Sequence, residues 1–500
     1  MNNEPAADLT PEQLQRLLDA QRAAQAADPI PDVATRRDRI DRFVAAVLEH
    51  RTELAAALDA DFGGRPTTIS MELDILGGME TAAFARENLE TWIAPVNVPA
   101  AMGGAIPTVI QNRPKGVVGV IGPWNFPVVL VFVPTVEALA AGNRVMIKFS
   151  DMTPRTGAVF ARAVASRMSP EEVVVINGGL PTATAFADLR FDHIFFTGSP
   201  KVGRLIAVAA GRNLVPVTLE LGGKNPAIVA PDADIADAAA RIAAARLVNN
   251  GQVCLCPDYA FVPASGKEAF IDAYRKAVLS HFPTFADNPD IVSVINDANY
   301  ARIAGLIEDA RSRGATQIVI VPEEEKARLP DPASRRLPPT LLIDTPAEAE
   351  IHAEEIFGPV LVLHTYSDIN EAIDFTSAGE HPLSSYWYGG DTDDFRRFVL
   401  NTNSGAVSRN DFALAYINHA APFGGVGMSG SGAYHGKAGF DTFSHQRPIA
   451  QSDLPVALAP AFVPPLSPER ITGVAAAAAA ATDLAVARLG GSDVTREGGS

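Results

Sequence analysis

At 500 residues the chain is too long for a single hydrophobic core, so two or three domains are expected. Its net charge of −17 and its 20% of charged residues describe an acidic enzyme and argue against nucleic acids or anionic membranes as partners, because both bind basic surfaces. The two cysteines, Cys254 and Cys256, are near neighbours, which excludes a disulfide framework, predicts a reducing cytoplasm and leaves no spaced Cys/His set for a zinc or other metal site.

The first part of the chain predicts helices. Thr10-Pro11-Glu12-Gln13 is a capping box with proline at the first helical position, so a helix should begin there. A second, amphipathic helix is indicated by apolar residues at helical spacing, namely Ile40, Phe43, Val44, Val47 and Leu48. Gly63-Gly64 ends this region. The acidic N-terminus carries no apolar core segment, so we expect no secretory signal.

From about residue 117, strands alternate with helices. The pattern indicates strands at 117–121, 144–148, 173–176 and 194–197, and helices at 128–141, from Thr153-Pro154 onward and from 200 to about 210. Repeated βαβ units predict an α/β protein with a parallel, doubly wound, Rossmann-type sheet that binds ligands at the carboxyl ends of its strands. A second α/β stretch covers about 221–418, with a helix at 233–248 and strands at 260–262, 317–321 and 360–364.

The C-terminal tail is rich in proline and then in alanine. Residues 474–481 are nearly all alanine, and Thr482 and Asp483 follow at once. Alanine is weakly apolar and this run is short, so no membrane span is predicted. We expect a solvent-exposed or partly disordered helix.

Cys254 and Glu220 are the candidate chemical groups, each in a glycine- and asparagine-rich turn. Cys254 follows Asn249-Asn250-Gly251-Gln252, whose backbone donors should favour the thiolate if the cysteine begins a strand or a helix. Glu220 ends the strand at 217–219 and precedes Gly222-Gly223. Taken alone, a free cysteine is more often a small buried hydrophobe, and a strand-end glutamate is often a plain exposed carboxylate. Together they could supply a nucleophile and a base.

Four motifs in order make this sequence resemble the NAD(P)-dependent aldehyde dehydrogenases over roughly residues 35–450. These motifs are Gly122-Pro123-Trp124-Asn125-Phe126-Pro127, Glu220-Leu221-Gly222-Gly223-Lys224-Asn225-Pro226, the cysteine run, and Glu354-Glu355-Ile356-Phe357-Gly358-Pro359. The C-terminal signature Pro422–Gly436 resembles the class 3 branch. The segments 139–148 and 153–156 look closest to its coniferyl aldehyde dehydrogenase-like members.

The resemblance implies oxidation of an aldehyde to its carboxylate by three catalytic residues. Cys254 is the implied nucleophile, and it forms a thiohemiacetal and then a thioester. The side-chain amide of Asn125 and the backbone N–H of Cys254 form the implied oxyanion hole. Glu220 is the implied base that activates water. The class 3 branch handles aromatic and medium-chain aldehydes, so an aromatic, cinnamyl-type or medium-chain aldehyde is the expected substrate.

The resemblance also implies the cofactor contacts. Gly198-Ser199-Pro200-Lys201-Val202-Gly203 opens a helix after a strand and should hold a pyrophosphate. Lys148 should bind the adenosine ribose, and Glu355 the nicotinamide ribose with Phe357 packed nearby. The implied cofactor-binding set is Trp124, Lys148, Ser150, Asp151, Gly198, Ser199, Gly203, Leu221, Glu355 and Phe357. NAD is the expected cofactor, with NADP also accepted, because the Asp151 carboxylate would repel a 2′-phosphate.

These expectations give a division of the chain. Residues 1–96 are the helical part of the cofactor domain, 97–115 a bridging segment, 116–220 the dinucleotide-binding domain, 221–418 the catalytic domain, 419–440 a return to the cofactor domain, 441–452 a bridging strand and 453–500 the tail. In the family the bridging segments join subunits, so a homodimer is expected, with a tetramer as the alternative.

Two other functions stay open at this point. An acyl-transferring or reductive family member is disfavoured by Glu220, because such an enzyme needs no water-activating base. A non-catalytic dinucleotide-binding protein is disfavoured because the thiol, the base and the amide are all present. Cys256 is expected to be structural, with a redox role as the alternative. His435 is expected to be a structural residue in a glycine turn.

Overall fold

A computed structural model of the chain describes residues 7–490. Three sheets contain the strands β1 Val96–Ala101, β2 Ile106–Pro114, β3 Val117–Ile121, β4 Arg144–Lys148, β5 Val173–Ile176, β6 His193–Thr197, β7 Val217–Glu220, β8 Asn225–Val229, β9 Pro257–Pro263, β10 Thr316–Val319, β11 Thr340–Ile343, β12 Val360–Tyr366, β13 Ser384–Tyr388, β14 Ala406–Arg409, β15 Gly430–Ser431 and β16 Ser444–Ala450.

The helices alternate with these strands. They are α1 Pro11–Ala27, α2 Val33–Glu49, α3 Arg51–Phe62, α4 Thr67–Ile69, α5 Met79–Ile93, α6 Val129–Ala140, α7 Pro154–Ala165, α8 Leu180–Ala187, α9 Pro200–Arg212, α10 Ile235–Leu247, α11 Lys267–His281, α12 Asp297–Ser312, α13 Ile369–Ala378, α14 Asp393–Asn401, α15 Leu414–Ile417, α16 Gly436–Thr442 and α17 Pro468–Gly490. One π-helical turn, Ser70–Ile75, lies between α4 and α5.

The six-stranded sheet has the order β15-β7-β6-β3-β4-β5. Neighbouring strands from β7 to β5 run parallel, and the short β15 pairs antiparallel with β7. Every residue of β3, β4 and β6 is buried, as expected for parallel strands covered by helices on both faces. The predicted doubly wound sheet is confirmed, with the elements at their expected places.

The seven-stranded sheet has the order β10-β11-β12-β9-β8-β13-β14. It is parallel except for β10, which pairs antiparallel with β11 at the edge. The predicted helix at 233–248 is α10, and the strand predicted at 260–262 is the longer β9. The chain crosses from the six-stranded to the seven-stranded sheet between Glu220 and Asn225, so the carboxyl end of β7 lies close to the start of β8.

The helix predicted from the N-terminal capping box is α1. The Thr10 hydroxyl accepts the Gln13 backbone N–H at 3.3 Å, and the Gln13 side chain accepts the Thr10 N–H at 2.7 Å. Both contacts satisfy donors that a helix start leaves unpaired. The capping box therefore predicted the correct first helical residue, Pro11.

The third sheet has the order β1-β2-β16, with β1 and β2 antiparallel and Val96 opposite Ile110. By contact density the chain divides into two units, one running to Ala94 and again over Asn112–Arg447, and the other covering Pro95–Gln111 and the chain from Pro448 onward. The finer seven-part division given above stays a prediction.

The predicted exposed C-terminal helix is α17. It extends over Pro468–Gly490, well beyond the alanine run at 474–481. By length and composition Pro468–Leu489 could cross a membrane, with a mean hydropathy of 1.3 and no part of its apolar window buried. The helix is thus longer than the eight-residue run that the sequence singled out. The absence of a membrane partner stays a prediction.

Candidate active site

The cysteine run forms a tight turn between α10 and β9. Asn249, Asn250 and Gly251 all adopt left-handed backbone conformations, with φ of 50°, 54° and 77°. Glycine and asparagine tolerate this region best, which explains the sequence Asn-Asn-Gly. A Cβ at Gly251 would clash with the Gly358 carbonyl, so the turn lies directly against the chain at 358. Cys254 follows in the turn, half-buried, without beginning a strand or a helix.

Two residues that sequence reasoning missed hold this turn in place. The Asn225 amide donates to the carbonyl oxygens of Cys254 at 2.7 Å and Cys256 at 3.0 Å, and its own oxygen accepts the Ser384 N–H at 3.0 Å. The Tyr386 hydroxyl donates to the Leu255 carbonyl at 2.6 Å. Asn225 belongs to the Glu220 motif, so its place there was the one available signal. Tyr386 is 131 residues from its partner and gave none.

Asn125 reaches the cysteine turn from the other sheet. Its side chain is 4% exposed, and its amide nitrogen donates to the Gln252 carbonyl at 3.1 Å. Gln252 is anchored in turn, since its amide donates to the Ser293 carbonyl and accepts the Ile295 N–H. Among the described residues the backbone N–H of Cys254 donates to no backbone carbonyl. The Asn125 amide lies against the backbone two residues before Cys254, so the predicted pair of oxyanion donors belongs to one short segment of the structure.

Glu220 ends β7 opposite Gly430, and its side chain is 2% exposed. Its Oε1 has no hydrogen-bond partner within the described part of the chain. Burial raises the pKa of Glu220 well above its ordinary value. Burial disfavours the charged form, so once ionised this carboxylate is a stronger base than an exposed one.

Two acidic residues affect the pKa of the Cys254 thiol. Burial raises the pKa of the Cys254 thiol well above its ordinary value, and the charges of Glu220 and Glu355 raise it further. The sequence had led us to expect backbone donors that favour the thiolate. In the structure the contribution of the Cys254 backbone N–H lowers the pKa of the thiol, but burial outweighs it. The influence of Glu220 on the pKa of the Cys254 thiol indicates that the two groups lie near each other.

The N-terminus of α9 forms a cradle at the carboxyl end of β6. Ser199 caps this helix by accepting the Val202 N–H at 3.4 Å. Gly203 lies against Leu221, because an added Cβ would be 2.8 Å from the Leu221 side chain. A glycine-lined helix start with exposed N–H groups suits a pyrophosphate. Gly198, Ser199, Gly203 and Leu221 are thus brought together as predicted.

Lys148 ends β4 at the same edge of the sheet. It is 3% exposed, and its ammonium donates to the carbonyl oxygens of Phe149 and Gly178, both at 2.8 Å. Burial lowers the pKa of Lys148, while the charge of Asp151 opposes that shift. Asp151 is exposed and Ser150 is half-buried. The ammonium is therefore held by backbone oxygens, a bonding that the sequence did not predict.

Glu355 and Phe357 approach the site from the loop before β12. A Cβ at Gly222 would clash with the Glu355 carboxylate, so this glycine permits the approach. Burial raises the pKa of Glu355 to about 8. Phe357 adopts φ of 54° and packs edge-on against Trp124, with ring centroids 5.3 Å apart.

The loop at 354–358 is held by two half-buried cations. Arg302 donates to the carbonyl oxygens of Glu355 at 3.2 Å and Ile356 at 2.7 Å. Lys224 pairs with the buried Asp258 and donates to the Glu354 carbonyl at 3.1 Å. The sequence did not single out Arg302, and it named Lys224 only as part of the Glu220 motif.

Cys256 and His435 lie apart from this chemistry. Cys256 is 2% exposed, its thiol donates to the Ala245 carbonyl at 3.2 Å, and burial raises its pKa to about 12. His435 is 1% exposed and stacked on Phe423 with centroids 5.5 Å apart. Burial lowers the pKa of His435 to about 3, so its ring is neutral. Both environments favour the structural interpretation.

The residues present suit a nicotinamide dinucleotide. The glycine cradle at α9 suits a pyrophosphate. The Glu355 carboxylate, which lies against Gly222, suits a ribose. Within residues 7–490 no group of three or more His, Cys, Asp or Glu side chains could hold a metal ion.

Comparisons with known proteins agree with this geometry. Residues 4–449 match the model of the aldehyde dehydrogenase family. A probable coniferyl aldehyde dehydrogenase of Caulobacter vibrioides is 42% identical over 87% of this chain and 90% of its own length. A coniferyl aldehyde dehydrogenase of Pseudomonas sp. is 41% identical over 88% and 90%. Aldehyde dehydrogenase family 3 member A2 of Macaca fascicularis is 36% identical over 84% of each chain.

Solved structures give the same result. The substrate-bound AldH of Staphylococcus aureus superposes with a TM-score of 0.84 and 31% identity, covering 93% of this chain and 99% of that one. An indole-3-acetaldehyde dehydrogenase in complex with NAD⁺ superposes with a TM-score of 0.80 and 25% identity, covering 89% and 90%. The chain therefore belongs to the aldehyde dehydrogenase family, and it is an oxidoreductase that converts an aldehyde to the carboxylic acid with a nicotinamide dinucleotide.

Proposed function

We propose that the chain oxidises aromatic, cinnamyl-type aldehydes, with NAD as the preferred cofactor, Cys254 as nucleophile, Asn125 as oxyanion donor and Glu220 as base. One observation carries the proposal: three separate elements bring these groups to a single site. The Asn125 amide bonds to the Gln252 carbonyl at 3.1 Å, two residues before the thiol, and the charge of Glu220 raises the pKa of that thiol.

In the first half of the reaction the Cys254 thiol releases its proton to water and its sulfur bonds to the aldehyde carbon. The carbonyl oxygen gains the negative charge, and the Asn125 amide and the Cys254 N–H donate to it. When bound, the nicotinamide supplies the oxidation by accepting a hydride from that carbon, which leaves a thioester on Cys254.

In the second half Glu220 removes a proton from water, and the water oxygen bonds to the thioester carbon. The carbon–sulfur bond breaks, the acid is released and Cys254 regains a thiol. The sum is aldehyde, water and oxidised dinucleotide giving carboxylate, reduced dinucleotide and two protons. The raised pKa of Glu220 suits this work, because a general base acts best with a pKa near the working pH.

The dinucleotide would be held by Gly198, Ser199 and Gly203 at its pyrophosphate, by Lys148, Ser150 and Asp151 near the adenosine ribose, and by Trp124, Leu221, Glu355 and Phe357 near the nicotinamide. Asp151 supports the preference for NAD, because its exposed carboxylate would accept from a 2′-hydroxyl and repel a 2′-phosphate. Lys148 retains donor capacity, since an ammonium has three N–H groups and two are used.

Aromatic rings near Cys254 support an aromatic substrate. Cys254 and Tyr416 both pack against the core cluster that contains Phe126 and Phe423. Tyr416 and Phe423 meet edge-on with centroids 5.2 Å apart. Flat aromatic walls bind aryl rings by stacking and edge contacts. The two relatives named as coniferyl aldehyde dehydrogenases support the cinnamyl class.

The test is a panel of aldehydes followed by nicotinamide absorbance. Coniferaldehyde, cinnamaldehyde, benzaldehyde and hexanal are compared by kcat/KM with NAD. We expect the cinnamyl substrates to lead, and a clear lead for hexanal would refute the substrate class. Turnover that requires coenzyme A would refute the water-activating role of Glu220 and favour acyl transfer.

The homodimer, the cytoplasmic location and the seven-part domain division are further parts of this proposal. They rest on the class 3-like motifs and on the cysteine content. Size-exclusion chromatography with light scattering would test the dimer directly.

A further inference from the structure

A buried ion pair lies behind the loop that carries Asn125. Arg65 and Asp74 are joined at 3.2 Å between Nη1 and Oδ2, and both side chains are 0% exposed. Arg65 follows α3 and Asp74 lies in the π-helical turn at Ser70–Ile75. Neither residue belongs to a motif of the reaction described above.

Both partners of this pair hold the backbone of the Asn125 loop. Arg65 Nη1 donates to the Asn125 carbonyl oxygen at 3.1 Å. Asp74 Oδ1 accepts the N–H groups of Val128 at 3.0 Å and Val129 at 2.9 Å, at the start of α6. The pair therefore fixes the loop on both sides of Phe126.

The guanidinium is also enclosed by aromatic rings. It lies 4.8 Å from the ring centroid of Phe62 and 5.0 Å from that of Phe126. Phe62 packs in turn against Trp124, with centroids 6.3 Å apart. Trp124, Asn125 and Phe126 are consecutive residues of one motif. Arg65 contacts this motif directly at the Asn125 carbonyl and the Phe126 ring, and it contacts Trp124 through Phe62.

Stability alone gives no reason for such a pair. Burial lowers the pKa of Arg65 and raises the pKa of Asp74, which shows the cost of removing both charges from water. Arg65 Nε and Nη2 have no hydrogen-bond partner within the described residues. Apolar side chains can replace many buried ion pairs without loss of stability. What an apolar pair cannot do is direct a donor at one carbonyl oxygen.

We propose that Arg65, oriented by Asp74, is a positioning residue for the Asn125 amide. Holding the Asn125 carbonyl fixes the peptide plane, and with it the direction from which the side-chain amide reaches the developing oxyanion. The proposal rests on the proposed role of Asn125 and goes beyond it by naming the residues that set its geometry. Donors act only when they are aimed at the oxyanion position before the reaction.

The experiment is a double-mutant cycle on the rate of the first turnover. Arg65→Met and Asn125→Ala are made singly and together, and the burst of reduced cofactor is followed at saturating substrates. Asn125→Ala should slow the burst roughly 10²- to 10³-fold, the usual loss for one oxyanion donor. Arg65→Met should slow it about 10- to 100-fold in the native background and less than about threefold in the Asn125→Ala background.

Arg36→Met is the matched control. Arg36 is 1% exposed and donates to the carbonyl oxygens of Pro31 at 2.8 Å and Ala140 at 2.9 Å, so it holds the opposite end of α6. It should change thermal stability without changing the burst rate. The KM for NAD should stay within about twofold of the native value for Arg65→Met, since Arg65 itself makes no hydrogen bond to a residue of the predicted cofactor set within the described chain.

The outcomes separate the two proposals. An equal loss from Arg65→Met in both backgrounds, or no loss in the native one, overturns the positioning role while leaving Asn125 as the donor. No loss from Asn125→Ala overturns the donor role and the positioning role with it. If Arg65→Met does not fold, Arg65→Lys enters the same cycle, because it keeps the charge and loses the planar fork.

Discussion

Glu137 is a buried carboxyl group that should make stability fall as the pH rises. It lies in α6, is 1% exposed, and neither carboxylate oxygen has a hydrogen bond of normal geometry within residues 7–490. A Cβ at Gly439 would clash with it, so α16 closes over the group. Burial raises the pKa of Glu137 well above its ordinary value of 4.5, although the backbone N–H groups of His435 and Gly436 lower it in part.

The sign follows from proton binding. Between the ordinary pKa of 4.5 and the raised pKa, the unfolded chain has lost the Glu137 proton and the folded chain keeps it. The stabilisation is complete below 4.5 and is lost as the pH rises through this window, at about 1.4 kcal/mol per pH unit. An unfolding entropy of about 2.1 cal/mol/K per residue amounts to about 1 kcal/mol/K for this chain, so the loss corresponds to roughly 1–1.5 °C in Tm per pH unit.

The assay compares Tm of the native chain and Glu137→Gln across the neutral range. Glutamine keeps the shape and carries no titrating proton, so the Tm of the variant should gain on the native Tm by roughly 1–1.5 °C for each pH unit between 4.5 and the raised pKa of Glu137. Glu87→Gln, on the exposed face of α5, is the control and should follow the native curve. Parallel curves for the native chain and Glu137→Gln would refute the reasoning.

The remaining predictions concern the catalytic and cofactor residues. Cys254→Ser should abolish oxidation while dinucleotide binding, measured by fluorescence, stays nearly intact; Cys256→Ala should be mild, and a dead Cys256 variant would reverse the assignment. Glu220→Gln should keep the burst of reduced cofactor and lose steady turnover by about 10²-fold, so loss of the burst would assign Glu220 to the first step. NAD should be preferred over NADP by roughly ten- to thirtyfold in kcat/KM, and Asp151→Asn should reduce that ratio; a native preference for NADP would contradict the role of Asp151.

The regular elements were predictable because their patterns are local. The buried strand β3 consists of Val, Gly and Ile, and the helix α1 begins at its capping box. The exposed helix predicted from the alanine run is α17, and apolar residues on either side of that run continue it over Pro468–Gly490. Periodicity and composition thus predicted the order and type of elements, and the bounds of this helix come from the structure.

The residues proposed to react were easier to predict than those that hold them. Cys254, Glu220 and Asn125 each lie in a recognisable motif, because the chemistry restricts both the residue type and its neighbours. Lys148 was expected at a ribose, and the structure shows its ammonium bonded to two backbone carbonyls. A backbone acceptor leaves no signal in the sequence, since every residue has a carbonyl group.

Buried and half-buried arginines lie where irregular backbone approaches the proposed reacting groups. Arg65 bonds to the carbonyl of Asn125, Arg302 to that of Glu355, and Arg246 to those of Pro257 and Gly358. Carbonyl groups in such loops lack the partners that a helix or a sheet supplies, and an unpaired buried carbonyl costs as much as a lost hydrogen bond. A guanidinium can satisfy several of them at once and hold their directions. The cost of burying these charges thus accompanies loops that must expose catalytic groups and remain fixed.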